Sequence, residues 1–183
     1  MRGEFTAVLD ACVLANYALC DTLLRLAETP ALYVPAWTDE ILAEATRTLK
    51  TKLNWPAELV QSWEDAIRTH FEDSQVENHQ PLIGAMENDE NDRHVLAAAV
   101  KAGAQTIVTF NLKHFKAEVL APWNVEAQHP DVFLNHLYSQ NAEVVRAKIV
   151  LQAAEGNRTV AELLNILQHT VPTFADRLRE EQL

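Results

Sequence analysis

Only two of the 183 residues are cysteine, and they lie eight apart near the N-terminus, as Cys12 and Cys20. With no second pair and no His-x-x-x-His pattern, neither a disulfide framework nor a zinc knuckle is supported, so both are expected to be reduced thiols. Basic residues are also scarce. Fifteen Lys and Arg face 26 Asp and Glu, a formal charge of -11, which argues against a protein that grips nucleic acid through a broad basic surface. An enzyme that reaches phosphate through bound metal escapes that objection, because divalent cations reverse the field at an acidic cluster. Acidity also suits a basic protein partner. No stretch approaches the roughly 20 apolar residues of a membrane-spanning helix, and no long apolar region follows the basic residue in Met1–Phe5. A soluble, cytoplasmic protein that is not exported and has no membrane partner is the expectation. No internal repeat or low-complexity tract appears.

What the chain does contain is 48% hydrophobic residues, enough for one sizeable core. Thr6-Ala7-Val8-Leu9 is a short apolar run ending at Asp10, followed by Val13, Leu14, Tyr17, Leu23, Leu24 and Ala27 at helical spacing. Strand, turn and helix are predicted. Residues 31–35 read as a second strand stopped by Pro35, with Thr38 as N-cap of a helix running to about Lys50. A third helix from Pro56 is predicted to bury Leu59, Val60, Trp63, Ile67 and Phe71. The Ala-rich segment from Arg93 to Gly103 reads as a helix with its glycine stop, and residues 106–110 as a buried strand ending at Asn111. Strands alternating with helices predict a parallel α/β sheet. Beyond Pro130 the segments 132–139, 142–154 and 159–168 read as a small helical appendage stopped by Pro172, with Val160, Leu163, Leu164 and Leu167 forming a docking stripe.

Asp10 and Asn111 each follow an apolar strand, and ligands of open parallel sheets bind at the carboxyl ends of the strands. Asp92 stands one turn before Val95 and Leu96, over the buried side of its helix. Glu44 falls roughly 60° from Ile41 around its helix, whereas Glu40 lies farther toward solvent. Each residue alone has an ordinary reading: Asp10 and Asn111 as turn formers, Asp92 as a helix-dipole partner, Glu44 as a solvated face residue. Together they would repel unless protonated or neutralised, and a hard divalent cation such as Mg²⁺ or Mn²⁺ is the common neutraliser.

Four segments, 8–14, 41–44, 89–99 and 106–115, resemble in order the acidic motifs of PIN domains. The resemblance covers roughly residues 5 to 135, and its nearest group is the VapC-type ribonuclease toxins of toxin–antitoxin pairs. It implies a three-layer α/β/α nuclease domain over residues 1–135, followed by a helical extension over 136–183. It further implies metal-binding carboxylates at Asp10, Glu44 and Asp92, with Asn111 where a fourth acidic residue often stands. Asn111 can offer a carbonyl oxygen but no charge, and Asp89 is the candidate for the missing carboxylate. Cys12 departs from the small polar residue common at its position, and Thr109 is a candidate orienting hydroxyl.

The activity implied is Mg²⁺- or Mn²⁺-dependent hydrolysis of RNA phosphodiesters, leaving a 5′-phosphate and a 3′-hydroxyl. Arg93, Lys113, His114 and Lys116, close to the motif residues, are candidates for flanking phosphates, although surface solvation is the plainer reading of the basic pair and ordinary hydrogen bonding that of His94 and His114. The implied partners are RNA, an antitoxin protein and a second copy of the chain. Two other readings remain: a catalytically silent PIN-like module that binds RNA or protein, and a metal-dependent DNA nuclease or phosphoesterase.

Overall fold

In a computed structural model the described residues are 5–181; the opening Met1–Glu4, read above for export, and residues 182–183 lie outside them. The strands are β1 (Thr6–Leu9), β2 (Val34–Ala36), β3 (Thr106–Val108) and β4 (Glu126–Gln128). They form one parallel sheet in the order β2-β1-β3-β4. The helices are α1 (Ala11–Leu14), α2 (Tyr17–Ala27), α3 (Asp39–Thr51), α4 (Ala57–His70), α5 (Gln80–Ile83), α6 (Arg93–Ala102), α7 (Ala117–Leu120), α8 (Pro130–Gln140), α9 (Ala142–Glu155), α10 (Val160–Leu167) and α11 (Pro172–Glu180). They flank the sheet, with α6 packed on β1 and β3, and α2 on β2. This is the α/β architecture expected, with its C-terminal helices. No helix is long and apolar enough to cross a membrane among the described residues.

Local chemistry explains most boundaries. Thr38 caps α3, its hydroxyl accepting from Ile41 N–H at 3.2 Å. Gly103 ends α6 at φ 63°, a left-handed conformation that costs a residue without Cβ little. The first helical stretch is split in two because Asn16 leaves helical geometry and caps α2, accepting from Leu19 N–H.

Several expectations need correction. Pro35 does not stop the second strand but lies inside it, pairing opposite Ala7; β2 is an edge strand, where a residue without N–H breaks no ladder. Pro172 begins a helix rather than ending one, since its fixed φ suits a first turn. Leu59 is 49% exposed, so α4 buries a narrower stripe of Val60 and Ile67 with Trp63 and Phe71 half-buried. The strand β4 was not expected at all: Glu-Ala-Gln carries no β-branched or aromatic signal, and only pairing with β3 makes it extended.

One apolar cluster runs from Ala7 to Leu178, so the C-terminal helices share the core of the sheet. Two buried polar contacts fix their seating. Gln152 on α9 accepts from the Thr22 hydroxyl at 2.8 Å and donates to Ala18 O at 3.0 Å on α2. Asp131 on α8 serves as a cap for α11, accepting from Thr173 N–H and O–H and from Phe174 N–H at 2.8–3.1 Å. Asp131→Ala leaves those donors unmet and is expected to destabilise the protein by about 2–3 kcal/mol, lowering Tm by roughly 5–10 °C. Calorimetry on the two proteins is the check; equal melting temperatures would remove Asp131 from this role.

Candidate active site

Parallel pairing of Leu9 with Val108 brings the residues just beyond both strands side by side. Asp10, 3% exposed, is therefore seated against Thr109. Its Oδ1 accepts from Ala11 N–H at 2.7 Å, and its Oδ2 accepts from the Thr109 hydroxyl at 2.6 Å and the Cys12 thiol at 3.2 Å. Burial, followed by the charge of Asp10, pushes the Cys12 thiol up to about 12, so it stays protonated and donates. Thr109 in turn accepts from Asn111 N–H at 3.0 Å. The contact that ties Asn111 to the site is thus of its backbone. Thr109→Val deletes the donor to Asp10 and the acceptor for Asn111, and should cost about 2–3 kcal/mol in urea unfolding. A variant as stable as the parent would show the hydroxyl to be dispensable.

Asp92 is the N-cap residue of α6 but makes no side-chain capping bond. Its Oδ2 instead lies 2.5 Å from His114 Nδ1, across 22 residues of sequence. Burial raises the pKa of Asp92, the His114 hydrogen bond opposes this, and the charges of Asp10 and Asp89 raise it further. One ligand atom each from Asp89, Asp92 and His114 lie within 4.8 Å of one another. Asp89 is exposed and caps the turn Glu90–Asp92, accepting from Asn91 N–H.

A third group was only partly foreseen. Glu44 projects from α3 toward His94, Oε1 to Nε2 3.5 Å, with its side chain 31% exposed against 51% for Glu40. Glu40 nonetheless reaches inward: its Oε2 lies 3.7 Å from His94 Nδ1 and 3.9 Å from His79 Nε2. Both histidines are buried, and none of their ring nitrogens has a hydrogen-bond partner. At His94 burial works against the proton, but Glu44, Glu40 and Asp10 outweigh it and raise the pKa; at His79 burial prevails and lowers it. His94 is thus no ordinary hydrogen-bonded side chain. His79 lay in a polar stretch whose sequence carried no signal of burial.

Of the candidate phosphate contacts, Arg93 is half-buried and its Nε donates to Asn88 O at 3.4 Å. Lys113 and Lys116 are exposed and line, with Asp89 and His114, a cavity of about 410 Å³. Two larger cavities, about 780 and 450 Å³, lie between α2 and α4, and none of the acidic site residues lines them. The donor set is rich in carboxylate oxygen. Among the described residues no Lys, Arg or His comes within 4.0 Å of the Asp10 carboxylate to neutralise it. Such a set fits a hard divalent cation better than a protein counter-ion.

The parallel order of the sheet, with Asp10 just past β1 and Asn111 past the end of β3, defines a class: an α/β protein with a buried carboxylate at the carboxyl ends of its central strands. A family model describing the PIN domain matches residues 6–113. The chain belongs to the PIN-domain family. It is 42% identical over 104 residues to "Putative ribonuclease VapC50" of Mycobacterium tuberculosis (strain ATCC 25618 / H37Rv), a match covering 55% of this chain and 62% of that relative's length. No solved structure matches.

Proposed function

We propose that this chain is a divalent-metal-dependent endoribonuclease and the toxin of a toxin–antitoxin pair. The observation that carries the reading is the buried Asp10 carboxylate, oriented by three donors yet paired with no basic side chain among the described residues, and close enough to Asp92 for its charge to raise the pKa of that carboxyl. The PIN-domain match and the relative named as a ribonuclease support the same reading.

In this proposal Asp10, Glu44 and Asp92 hold Mg²⁺ or Mn²⁺, Asn111 offers a carbonyl oxygen, and Asp89 adds a further carboxylate. A bound divalent ion supplies a water of lowered pKa and charge stabilisation at the phosphoryl oxygens. Thr109 and Cys12 hold Oδ2 of Asp10, which leaves Oδ1, with the Ala11 N–H as its one donor, a lone pair for the ion. Arg93, Lys113 and Lys116 bind phosphates on either side of the scissile bond, which an acidic protein needs beyond its metal. His114 lines the same notch as Lys113 and Lys116 and meets Asp92. An antitoxin protein, a homodimeric state, a cytoplasmic location and the division into a nuclease domain (1–135) and helical extension (136–183) belong to the same proposal, although α8 bridges that boundary.

The test is a side-by-side cleavage assay of purified protein on RNA, single-stranded DNA and flap DNA, with Mg²⁺, Mn²⁺ or chelator. RNA is expected to be cut, and only with metal. Cleavage confined to DNA would replace this reading with that of a DNA nuclease, and no cleavage of any substrate with that of a silent binding module.

A further inference from the structure

Two aromatic side chains, Phe110 and His129, stand just past the carboxyl ends of β3 and β4, on the same edge of the sheet as Asp10. We propose that they form a stacking subsite for an unpaired nucleobase of RNA, about one nucleotide from the Asp10 carboxylate. The inference rests on the nuclease reading for its ligand.

The sheet itself builds the pair. Thr109 N–H donates to Gln128 O at 3.0 Å, which carries the parallel ladder past β3 and β4 and makes Phe110 and His129 the next residues of each. Their rings meet edge to face, with centroids 5.1 Å apart and planes at 72°. Phe110 N–H also donates to Cys12 Sγ at 3.5 Å, and the Cys12 thiol donates to Asp10 Oδ2 at 3.2 Å. Two short contacts therefore separate the Phe110 backbone from the Asp10 carboxylate, no more than one extended nucleotide spans.

Neither ring is sealed. Both side chains are half-buried, whereas Phe115, Phe133 and Phe174 are buried in the core. His129 caps α8 through Nδ1, which accepts from Asp131 N–H at 3.2 Å. A backbone N–H can only donate, so Nδ1 holds a lone pair and the ring proton is on Nε2. Nε2 makes no hydrogen bond among the described residues and is not one of their buried unpartnered atoms, so its N–H opens to solvent. Exposed apolar side chains follow each ring along the chain: Leu112, two residues past Phe110, and Val132, one turn past His129, are 42% and 47% exposed. A ring pair that only fills the end of the sheet accounts for the contact but leaves the open Nε2–H and this apolar surface unassigned.

Charge gives the pair its use. At a formal charge of -11 the chain has few cations to hold a polyanion, and of its candidate phosphate contacts only Lys113 and Lys116 are exposed. Stacking on an aromatic face adds affinity without charge, and tolerates any sequence because every base has a π-face. His129 Nε2–H adds one hydrogen bond, to an acceptor on the edge of the stacked base. A base reaches such rings only when it is splayed out of a helix, so the RNA is single-stranded at this point.

The experiment compares binding of the full chain to oligoadenylate and to an abasic oligomer of the same length, with Ca²⁺ in place of Mg²⁺ and the RNA shown to be intact on a gel. The parent is expected to prefer oligoadenylate by at least about 5-fold, the lower bound for one stacked base. Phe110→Ala, checked for fold by circular dichroism, should weaken oligoadenylate binding by about 5–100-fold and leave the abasic oligomer within about twofold. Phe110→Trp should restore the preference. His129→Asn, which keeps a side-chain oxygen to cap α8, should lose about 3–10-fold on oligoadenylate alone. A merely structural role would weaken both oligomers alike or neither. Equal binding of the two oligomers by the parent, or a Phe110→Ala loss that is the same on both, would overturn the proposal. If the preference depends on Phe110 but no RNA is cut with Mg²⁺ or Mn²⁺, the base subsite stands and the ribonuclease reading fails. If RNA is cut while neither Phe110→Ala nor His129→Asn alters the preference, the reverse holds.

Discussion

Asp10→Asn and Asp92→Asn are each expected to lower RNA cleavage by at least about 10³-fold, a loss of about 4 kcal/mol of transition-state stabilisation. Both substitutions are nearly isosteric, so the loss should come from charge rather than shape. At Asp10 the amide keeps an oxygen for Ala11 N–H, while its NH₂ replaces the oxygen that accepts from Thr109 and Cys12. The Thr109 hydroxyl can turn to accept instead, because a hydroxyl both donates and accepts. Folding should therefore weaken by no more than about 1–2 kcal/mol at position 10, and less at Asp92, whose described side-chain hydrogen bond is to His114 alone. Initial rates on a labelled RNA, alongside thermal melts, separate the two effects. A rate within tenfold of the parent for either variant would remove that carboxylate from the proposed metal site.

The largest expected effect on stability is at the other end of the chain. Phe174→Ala on α11 should destabilise the protein by about 3–5 kcal/mol, since the ring is fully buried and packs edge-on to Tyr138. The ring also belongs to the same apolar cluster as β1, so the loss should appear in a single cooperative transition that melts sheet and tail together. An early transition that unfolds only the C-terminal helices, with the sheet surviving unchanged, would show the tail to be an independent unit. Trimming the chain after Gln140 should be as damaging. It strips α2 of Gln152, the buried partner of Thr22, and uncovers the apolar residues that α9 and α10 cover.

Signals held within a few residues were legible from the sequence. An apolar β-branched run followed by Asp or Asn marks the end of a parallel strand whatever lies elsewhere, so the positions of Asp10 and Asn111 needed no partner to be found. Thr38 and Gly103 act on backbone groups of their own turn and were equally readable. Helical angle alone ranked Glu44 as less exposed than Glu40, and the side chains are so ordered. The role of Glu40 was not readable. Its inward reach depends on His79 and His94, and no periodicity in a polar stretch announces that a histidine will be buried.

Sequence by itself thus determined β1, β3 and the helices α2, α3, α4, α6, α8, α9 and α10, the parallel class of the sheet and the residues that stand at its carboxyl edge, because each follows from local propensity and spacing. Tertiary structure alone decided which of them meet. Whether Pro35 ends a strand or borders a sheet depends on its neighbours, and Glu126–Gln128 is a strand only because β3 offers it a ladder. The same holds at the site. Asp92 meets His114 across 22 residues and Asp10 meets Thr109 across 99, distances in sequence over which no local rule carries information and only the packing of α6 and β3 against β1 brings the charges together.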